Sequence, residues 1–335
     1  MAQKTRIAFI GSGGMAHAHA PCLRAIPGVE LVGFCDVSRQ KAEAAAAQYG
    51  GAAFRDPAKM LDAVEPDGVY VCLPPFAHGA AEMACISRKV PFFVEKPINR
   101  TVKQAEEIAA AVKKAKLMTS AGYMNRYRKG VNEVKRLLAK DPAAYVQGGW
   151  IGGAPRPPKG DTGIGSWWIR KAKSGGQFIE QVTHTVDLVR YLCGEAVRVS
   201  AYAAHGFNRG IPNYDIDDAL AVAIEMKSGG VVCLHSCCAS GATGGVSLQV
   251  YAPKTGAILS GWGHDVTIYR AGKPEKHVPG EGDIFAIEDR AFVKALRTGD
   301  ASGIRCTYAD ALETLRITVA ADQSARTGKP VKLVR

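Results

Sequence analysis

The chain predicts an α/β N-terminal domain followed by an α+β C-terminal domain with a large, mostly antiparallel sheet. Three observations predict it. Short apolar runs alternate with Ala-rich helical stretches over the first 121 residues. A glycine-rich turn joins the first apolar run to the first helix. From Val197 to Arg270 β-like runs follow one another with few helices between them.

In the first domain (1–121) the strand-like runs are Arg6–Ile10, Glu30–Cys35, Gly68–Leu73, Pro91–Val94 and Leu117–Ala121. Helical spacing marks Ser38–Tyr49 and Val102–Ala115; in the latter, Val102, Ala105, Ile108, Ala109 and Val112 share one face. Strands alternating with helices build a parallel sheet covered on both sides. In the second domain (122–335) a helix is predicted over Val131–Lys140 and a strand over Tyr145–Ile151. The stretch 152–165, GGAPRPPKGDTGIG, is too rich in Gly and Pro for regular structure and reads as a lid or binding loop. Gln177–Cys193 reads as one helix. The β-like runs are Val197–Ala203, Leu220–Met226, Val231–Cys238, Ser247–Tyr251 and Val266–Arg270, with closing helices at about 285–297 and 307–326.

Composition excludes several classes. With 47% hydrophobic and 22% charged residues, the chain is neither disordered nor collagen-like. No stretch approaches the ~18 apolar residues of a membrane span. The apolar run in MAQKTRIAFIGSGG is too short for a signal peptide. None of the nine cysteines forms a C-x-x-C pair, which speaks against a thioredoxin-type or zinc-knuckle site. Cys35 and Cys72 lie in apolar runs, and Cys237 and Cys238 point to opposite faces of a strand. Reduced, mostly buried thiols are the expectation, hence a cytoplasmic protein.

Forty-three basic against 31 acidic side chains leave a net charge of +12. The surplus is concentrated. Arg126 to Lys173 carries 11 basic residues opposed by Glu133, Asp141 and Asp161. No nucleic-acid recognition motif accompanies them, so no nucleic-acid partner is expected. Two readings stay open: a segment that steers an anionic cofactor or substrate, and a solvated basic face.

Gly11-Ser12-Gly13-Gly14-Met15-Ala16 matches G-x-G-x-x-G/A, with a strand before it, a helix after it, and Asp36 20 residues past Ala16. Gly11 permits the tight turn and Gly13 lets the backbone approach a pyrophosphate. Ala16 allows close helix–strand packing. Asp36 suits a ribose hydroxyl and repels a 2′-phosphate, which favours NAD; Arg39, three residues on, keeps NADP open. The plain alternative is a Gly turn beside a solvated Asp.

Val69-Tyr-Val-Cys-Leu-Pro-Pro75 ends a strand, with His78 just beyond, and Pro91-Phe-Phe-Val94 runs into Glu95-Lys96-Pro97. A lysine at the carboxyl end of a parallel strand lies where doubly wound sheets bind ligands. Pro97 fixes the local backbone, with a cis bond as one way of doing so. Later, Glu180, His184 and Asp187 fall at i, i+4 and i+7 of the helix predicted over Gln177–Cys193. Ile179, Val182, Val186 and Val189 form the opposite stripe. Each element has an ordinary reading too, a solvated lysine and an amphipathic helix. His17 and His19 are two apart on one helix and do not face each other, so no metal pair is expected. Trp167 and Trp168 close the Gly/Pro loop; their rings suit either a sugar face or the core.

A Rossmann half, the Leu73-Pro74-Pro75 turn, Glu95-Lys96-Pro97, the Gly-rich approach to Glu180 and His184, and the closing Gly328-Lys-Pro-Val331 together resemble the Gfo/Idh/MocA family of sugar and cyclitol oxidoreductases, inositol dehydrogenases among them. The resemblance spans nearly the whole chain. It implies Lys96 and His184 as catalytic residues. Glu180 stands where many members have Asp, as orienter. It implies cofactor contacts from Gly11, Ser12, Gly13, Gly14, Met15, Asp36, Val37, Arg39, Leu73, Pro74, Pro75, His78, Glu95, Lys96 and Asn125. Lys96, Arg126, Trp168, Thr183 and His184 are the expected substrate contacts. The implied cofactor is NAD, the implied partner a small sugar or polyol, and the implied assembly a homodimer or homotetramer. Two other activities stay open within the family: redox-neutral sugar chemistry with tightly held NAD, and a non-catalytic dinucleotide sensor.

Overall fold

The computed structural model describes residues 4–155 and 164–333. The chain forms two compact units, Met1–Met124 with Asp283–Leu312, and Asn125–Gly282 with Glu313–Arg335. The first unit is therefore discontinuous in sequence. Most of the loop 152–165, including Arg156, Lys159 and Asp161, lies outside the described residues.

The first unit is built on six parallel strands: β1 Thr5–Ile10, β2 Val29–Cys35, β3 Ala52–Phe54, β4 Gly68–Val71, β5 Phe92–Val94 and β6 Thr119–Ala121. Their order, β3-β2-β1-β4-β5-β6, reverses direction between β1 and β4, the crevice where such sheets bind ligands. Both faces are covered, so the strands read as continuous apolar runs. Phe9 stacks on Phe34 at 5.1 Å and Tyr70 on Phe93 at 4.7 Å between ring centroids. The helices Arg39–Tyr49 and Val102–Ala115 form where periodicity predicts them, the latter burying Ala105, Ile108 and Val112. The strand β3 escapes sequence reading because it is three residues long and largely exposed. The helix Ile284–Thr298 lays Phe292 and Val293 into this unit's core beside Ile7 and Leu23.

The second unit carries nine strands: β7 Tyr145–Ile151, β8 Ala196–Ala204, β9 Ala219–Met226, β10 Val231–Cys237, β11 Gly245–Tyr251, β12 Thr255–Ser260, β13 Asp265–Arg270, β14 Lys273–Val278 and β15 Val331–Lys332. They run in the order β14-β13-β12-β11-β7-β10-β9-β8-β15. Every pairing is antiparallel except β7 with β10, which is parallel. Alternation sets the two faces. Leu220, Val222, Ile224 and Met226 of β9 join Val232 and Leu234 of β10 in the core, with residues of the helices Lys129–Leu138, Thr183–Cys193 and Tyr308–Thr327. Ala221, Ala223 and Cys233 lie on the open face. β14 is missed by sequence because KPEKHV is charged and carries a proline, the composition that blunts a sheet edge.

One helix departs from expectation. Gln177–Cys193 is not continuous: it divides into Gln177–Glu180 and Thr183–Cys193. The Val182 N–H reaches back five residues to the Gln177 carbonyl, and His184 N–H and Thr185 N–H restart the helix with bonds to Gln181 and Val182. The wide turn followed by a tight one breaks the i, i+4 spacing between Glu180 and His184. Nor is there a solvated polar face, since Glu180, His184 and Asp187 are 7%, 5% and 1% exposed. Among the described residues no helix is long and apolar enough to cross a membrane.

Candidate active site

In the first unit, Gly11 adopts φ +94°, and a Cβ there would sit 2.2 Å from the Cys72 carbonyl oxygen. Only glycine allows β1 and the end of β4 to approach so closely. Gly13 is the N-cap of the helix Gly14–Arg24, and space is open around both Gly13 and Gly14. That helix N-terminus offers unpaired N–H groups to an anion. The Ser12 hydroxyl is buried with no hydrogen-bond partner among the described residues, as a group reserved for a ligand would be. Asp36 follows β2. Its Oδ2 accepts the Ser12 N–H at 2.9 Å and its Oδ1 the Ser38 N–H at 2.8 Å, so two backbone groups fix the carboxylate beside the glycine turn. Val37 is 86% exposed and Met15 half-buried. Arg39 is exposed and pairs with Glu43 at 2.7 Å, a bond within its own helix. These residues fit a dinucleotide: an open helix terminus for the pyrophosphate and a fixed carboxylate for a ribose.

The turn after β4 is stitched by His78. Its Nδ1 meets Glu82 Oε1 at 2.6 Å and its Nε2 the Leu73 carbonyl at 3.1 Å, while Glu82 Oε2 accepts the Gly79 N–H. His78 is thus a buried tie that shapes Leu73-Pro74-Pro75. Glu95-Lys96-Pro97 follows β5, with a cis Lys96–Pro97 bond. Lys96 is half-buried. Glu95 is buried, and its Oε2 accepts the Lys96 N–H at 3.1 Å.

In the second unit, Trp168 is 1% exposed in a cluster with Ile169, Ile216 and Cys238, and its indole N–H donates to Glu180 Oε2 at 2.7 Å. The ring is a core anchor whose polar end holds Glu180. His184 lies in the first turn of Thr183–Cys193, and the Trp262 ring meets it edge to face at 5.5 Å. Trp262 is 44% exposed and also contacts Trp150, 5.4 Å away. Thr183 is fully buried. Arg126 and Asp187 pair through two hydrogen bonds. Asn125 Oδ1 accepts from Arg128, whose other N–H groups reach the carbonyls of Glu281 and Trp262. The Asn125 Nδ2 is buried with no partner among the described residues.

Trp150, Trp262 and Arg128 were not singled out by sequence. Trp262 sits in the turn between β12 and β13, and nothing local ties it to His184. All nine cysteines are free thiols, and burial pushes Cys35 up to about 12 and Cys238 up to about 11.

The profile of the Gfo/Idh/MocA oxidoreductase family, NAD-binding Rossmann fold, matches residues 5–123, and that of the family's C-terminal domain matches 150–257. The chain belongs to the Gfo/Idh/MocA oxidoreductase family. It is 27% identical over 351 aligned residues to scyllo-inositol 2-dehydrogenase (NAD(+)) of Bacillus subtilis strain 168, covering 99% of this chain and 97% of that one. To the myo-inositol 2-dehydrogenase of Thermotoga maritima it is 27% identical over 235 residues, covering 67% and 66%. Among solved structures, levoglucosan dehydrogenase in complex with NADH superposes with a TM-score of 0.86 at 18% identity, covering 99% and 100%. An NAD-binding oxidoreductase from Klebsiella pneumoniae gives 0.86 at 22%, also covering 99% and 100%. At such identities the two structures speak for the fold.

In this Gfo/Idh/MocA chain the basic segment is partly compensated from outside itself. Arg126 pairs with Asp187, Arg170 lies 3.8 Å from Asp215, and Lys171 bonds Asp217 and Asp322. Lys135 stands 3.4 Å over the Tyr191 ring. Arg128 is buried, which lowers its pKa despite Glu281 nearby. Part of what reads along the sequence as an excess is thus partnered in space.

Proposed function

We propose that this protein is an NAD(H)-dependent dehydrogenase that moves a hydride between a sugar or cyclitol hydroxyl and nicotinamide. NAD is preferred over NADP. The observation that carries the proposal is the Asp36 carboxylate, fixed by two backbone N–H groups beside the glycine turn, where a 2′-phosphate would meet a negative charge. The inositol and sugar dehydrogenases among its relatives support the substrate class.

Nicotinamide supplies the hydride acceptor when bound. His184 removes the hydroxyl proton, as an imidazole does near neutral pH. The Lys96 ammonium holds the same oxygen and stabilises its developing negative charge. Glu180, held by Trp168, fixes the turn from which His184 projects. Glu180 is assigned to orientation alone. Gly11, Ser12, Gly13 and Gly14 take the pyrophosphate, with Met15, Val37, Leu73, Pro74, Pro75 and Asn125 along the cofactor.

The test is turnover of a polyol panel, followed by NADH absorbance, with Lys96→Ala and His184→Ala. Each substitution is expected to lower kcat by at least about a hundredfold. Activity within about tenfold of the parent in both variants would sink the assignment. Stoichiometric release of NADH separates net oxidation from redox-neutral sugar chemistry.

A further inference from the structure

Behind the Lys96 turn lies a buried cluster of charged groups that the hydride chemistry does not use. His19, on the helix Gly14–Arg24, is fully buried. Its Nε2 lies 3.0 Å from Glu95 Oε1 and its Nδ1 2.8 Å from Asp289 Oδ1. The Tyr70 hydroxyl donates to the same Asp289 oxygen at 3.0 Å. The rings of Tyr70, Phe93 and Phe285 enclose the imidazole at 5.1–5.3 Å. Cys22, Cys72, the buried Glu288, and Asp283 and Arg290 are further titratable or charged groups in the field of this cluster.

Hydrogen-bond chemistry restricts the protonation state. An ionised carboxylate only accepts, so a nitrogen facing it must carry a proton. His19 faces a carboxylate at each nitrogen. With both carboxylates ionised, a neutral ring would set one lone pair against a carboxylate oxygen in a dry interior, so the ring is then an imidazolium; burial raises the Asp289 pKa, against the lowering effect of His19 and Tyr70. Burial alone would lower its pKa; the charges of Asp289 and Glu95 outweigh that and hold it well above the ordinary value.

The consequence reaches Lys96. Glu95 has two oxygens. One is clamped by His19, and the other accepts the Lys96 main-chain N–H at 3.1 Å. A Cβ at Gly122 would lie 2.8 Å from Glu95 Oε1, so the carboxylate is also confined from the β6 side. We propose that His19 is a positioning residue for Lys96: clamped between Glu95 and Asp289, it fixes the carboxylate that holds the Lys96 backbone. The proposal rests on the reading of Lys96 as the oxygen-holding residue, and it explains why a glutamate precedes that lysine.

Two measurements need no substrate. In protein labelled with ¹⁵N-histidine, both His19 nitrogens are expected to be protonated at about pH 8, where an ordinary imidazole is neutral. In Glu95→Gln the side-chain amide can donate to Nε2, so the ring becomes neutral while an oxygen still accepts from Lys96. Amide hydrogen exchange at Lys96 is expected to speed up at least about tenfold in His19→Gln, with the β1 amides unchanged. Glu95→Gln is expected to keep that exchange within about threefold of the parent. If His19→Gln does not fold, Asp289→Asn is read in its place, with the same direction expected. A neutral His19 in the parent, or unchanged Lys96 exchange in the clamp variant, overturns the proposal. With an active polyol, His19→Gln lowers kcat about tenfold while NADH affinity stays within about threefold. Unchanged kcat in His19→Gln beside an inactive Lys96→Ala overturns the clamp alone. Full activity in Lys96→Ala overturns the functional reading and leaves the exchange result standing.

Discussion

Arg126 and Asp187 form a buried, two-point ion pair: Nε donates to Oδ2 at 2.8 Å and Nη2 to Oδ1 at 2.7 Å. Thr314 adds a third donor to Asp187 Oδ1 at 3.0 Å, and Arg190 in turn donates to Thr314. Arg126 was expected as a substrate contact. Its guanidinium is engaged by a carboxylate of its own unit. Removing one partner strands a charge in a dry interior, so Arg126→Ala is expected to destabilise the protein by about 3–5 kcal/mol. The double variant Arg126→Met with Asp187→Leu is expected to recover most of that loss. Urea unfolding of the three proteins checks it. A single variant as stable as the parent would contradict a structural pair.

Cofactor choice turns on Asp36. Replacing it with Ala removes both the acceptor for ribose hydroxyls and the charge that repels a 2′-phosphate. NADH affinity is expected to fall about tenfold and NADPH affinity to rise, the preference narrowing by roughly 2 kcal/mol. Titration of both dinucleotides by fluorescence measures it. Equal affinities in the parent would refute the role given to Asp36.

Trp168→Phe keeps an aromatic ring but deletes the N–H that reaches Glu180. Losing a donor to a buried carboxylate is expected to cost about 1–3 kcal/mol of stability. Because Glu180 sits in the turn leading to His184, kcat is expected to fall more than KM rises. A change in KM alone would instead favour direct contact between this indole and substrate.

Stability is expected to fall in mild acid because of His264. Burial, with Arg128 adding to it, pushes this imidazole down to about 3. Between about pH 6.5 and that value the unfolded chain binds a proton that the folded chain refuses. The neutral ring's contribution is thus fully present above pH 6.5 and declines as pH falls, by up to about 1.4 kcal/mol per unit. In His264→Gln the slope of unfolding free energy between about pH 6.5 and 5 is expected to be shallower by about 1 kcal/mol per unit. Parallel slopes would exclude His264 as the source.

Periodicity and glycine placement carried most of the fold. The Val102–Ala115 helix has the bounds that its apolar spacing marks, and Gly11 through Ala16 join strand to helix as the motif requires. What escaped was non-local. No spacing rule joins Trp168 to Glu180 across 12 residues, or Arg126 to Asp187 across 61, because tertiary packing selects those partners. The division of Gln177–Cys193 escaped for the same reason: the residues are good helix formers, and only the hydrogen bonds at Gln181 and Val182 betray the turn. Charge pairing is non-local in the same way. Lys171 belongs to a basic run by position, yet its partners Asp217 and Asp322 come from far along the chain.

The distance from His19 to Asp289 is 270 residues of sequence. A ribosome adding about 5–20 residues per second delivers Asp289 roughly 14–54 s after His19 emerges. Until then the imidazole has one of its two carboxylates, and the helix that carries Phe292 and Val293 into the same core does not yet exist. The dinucleotide fold is thus completed only once the segment Asp283–Leu312 has been made. A nascent chain paused before that helix would hold a charge with half its partners and an uncovered apolar face, the combination that chaperones recognise.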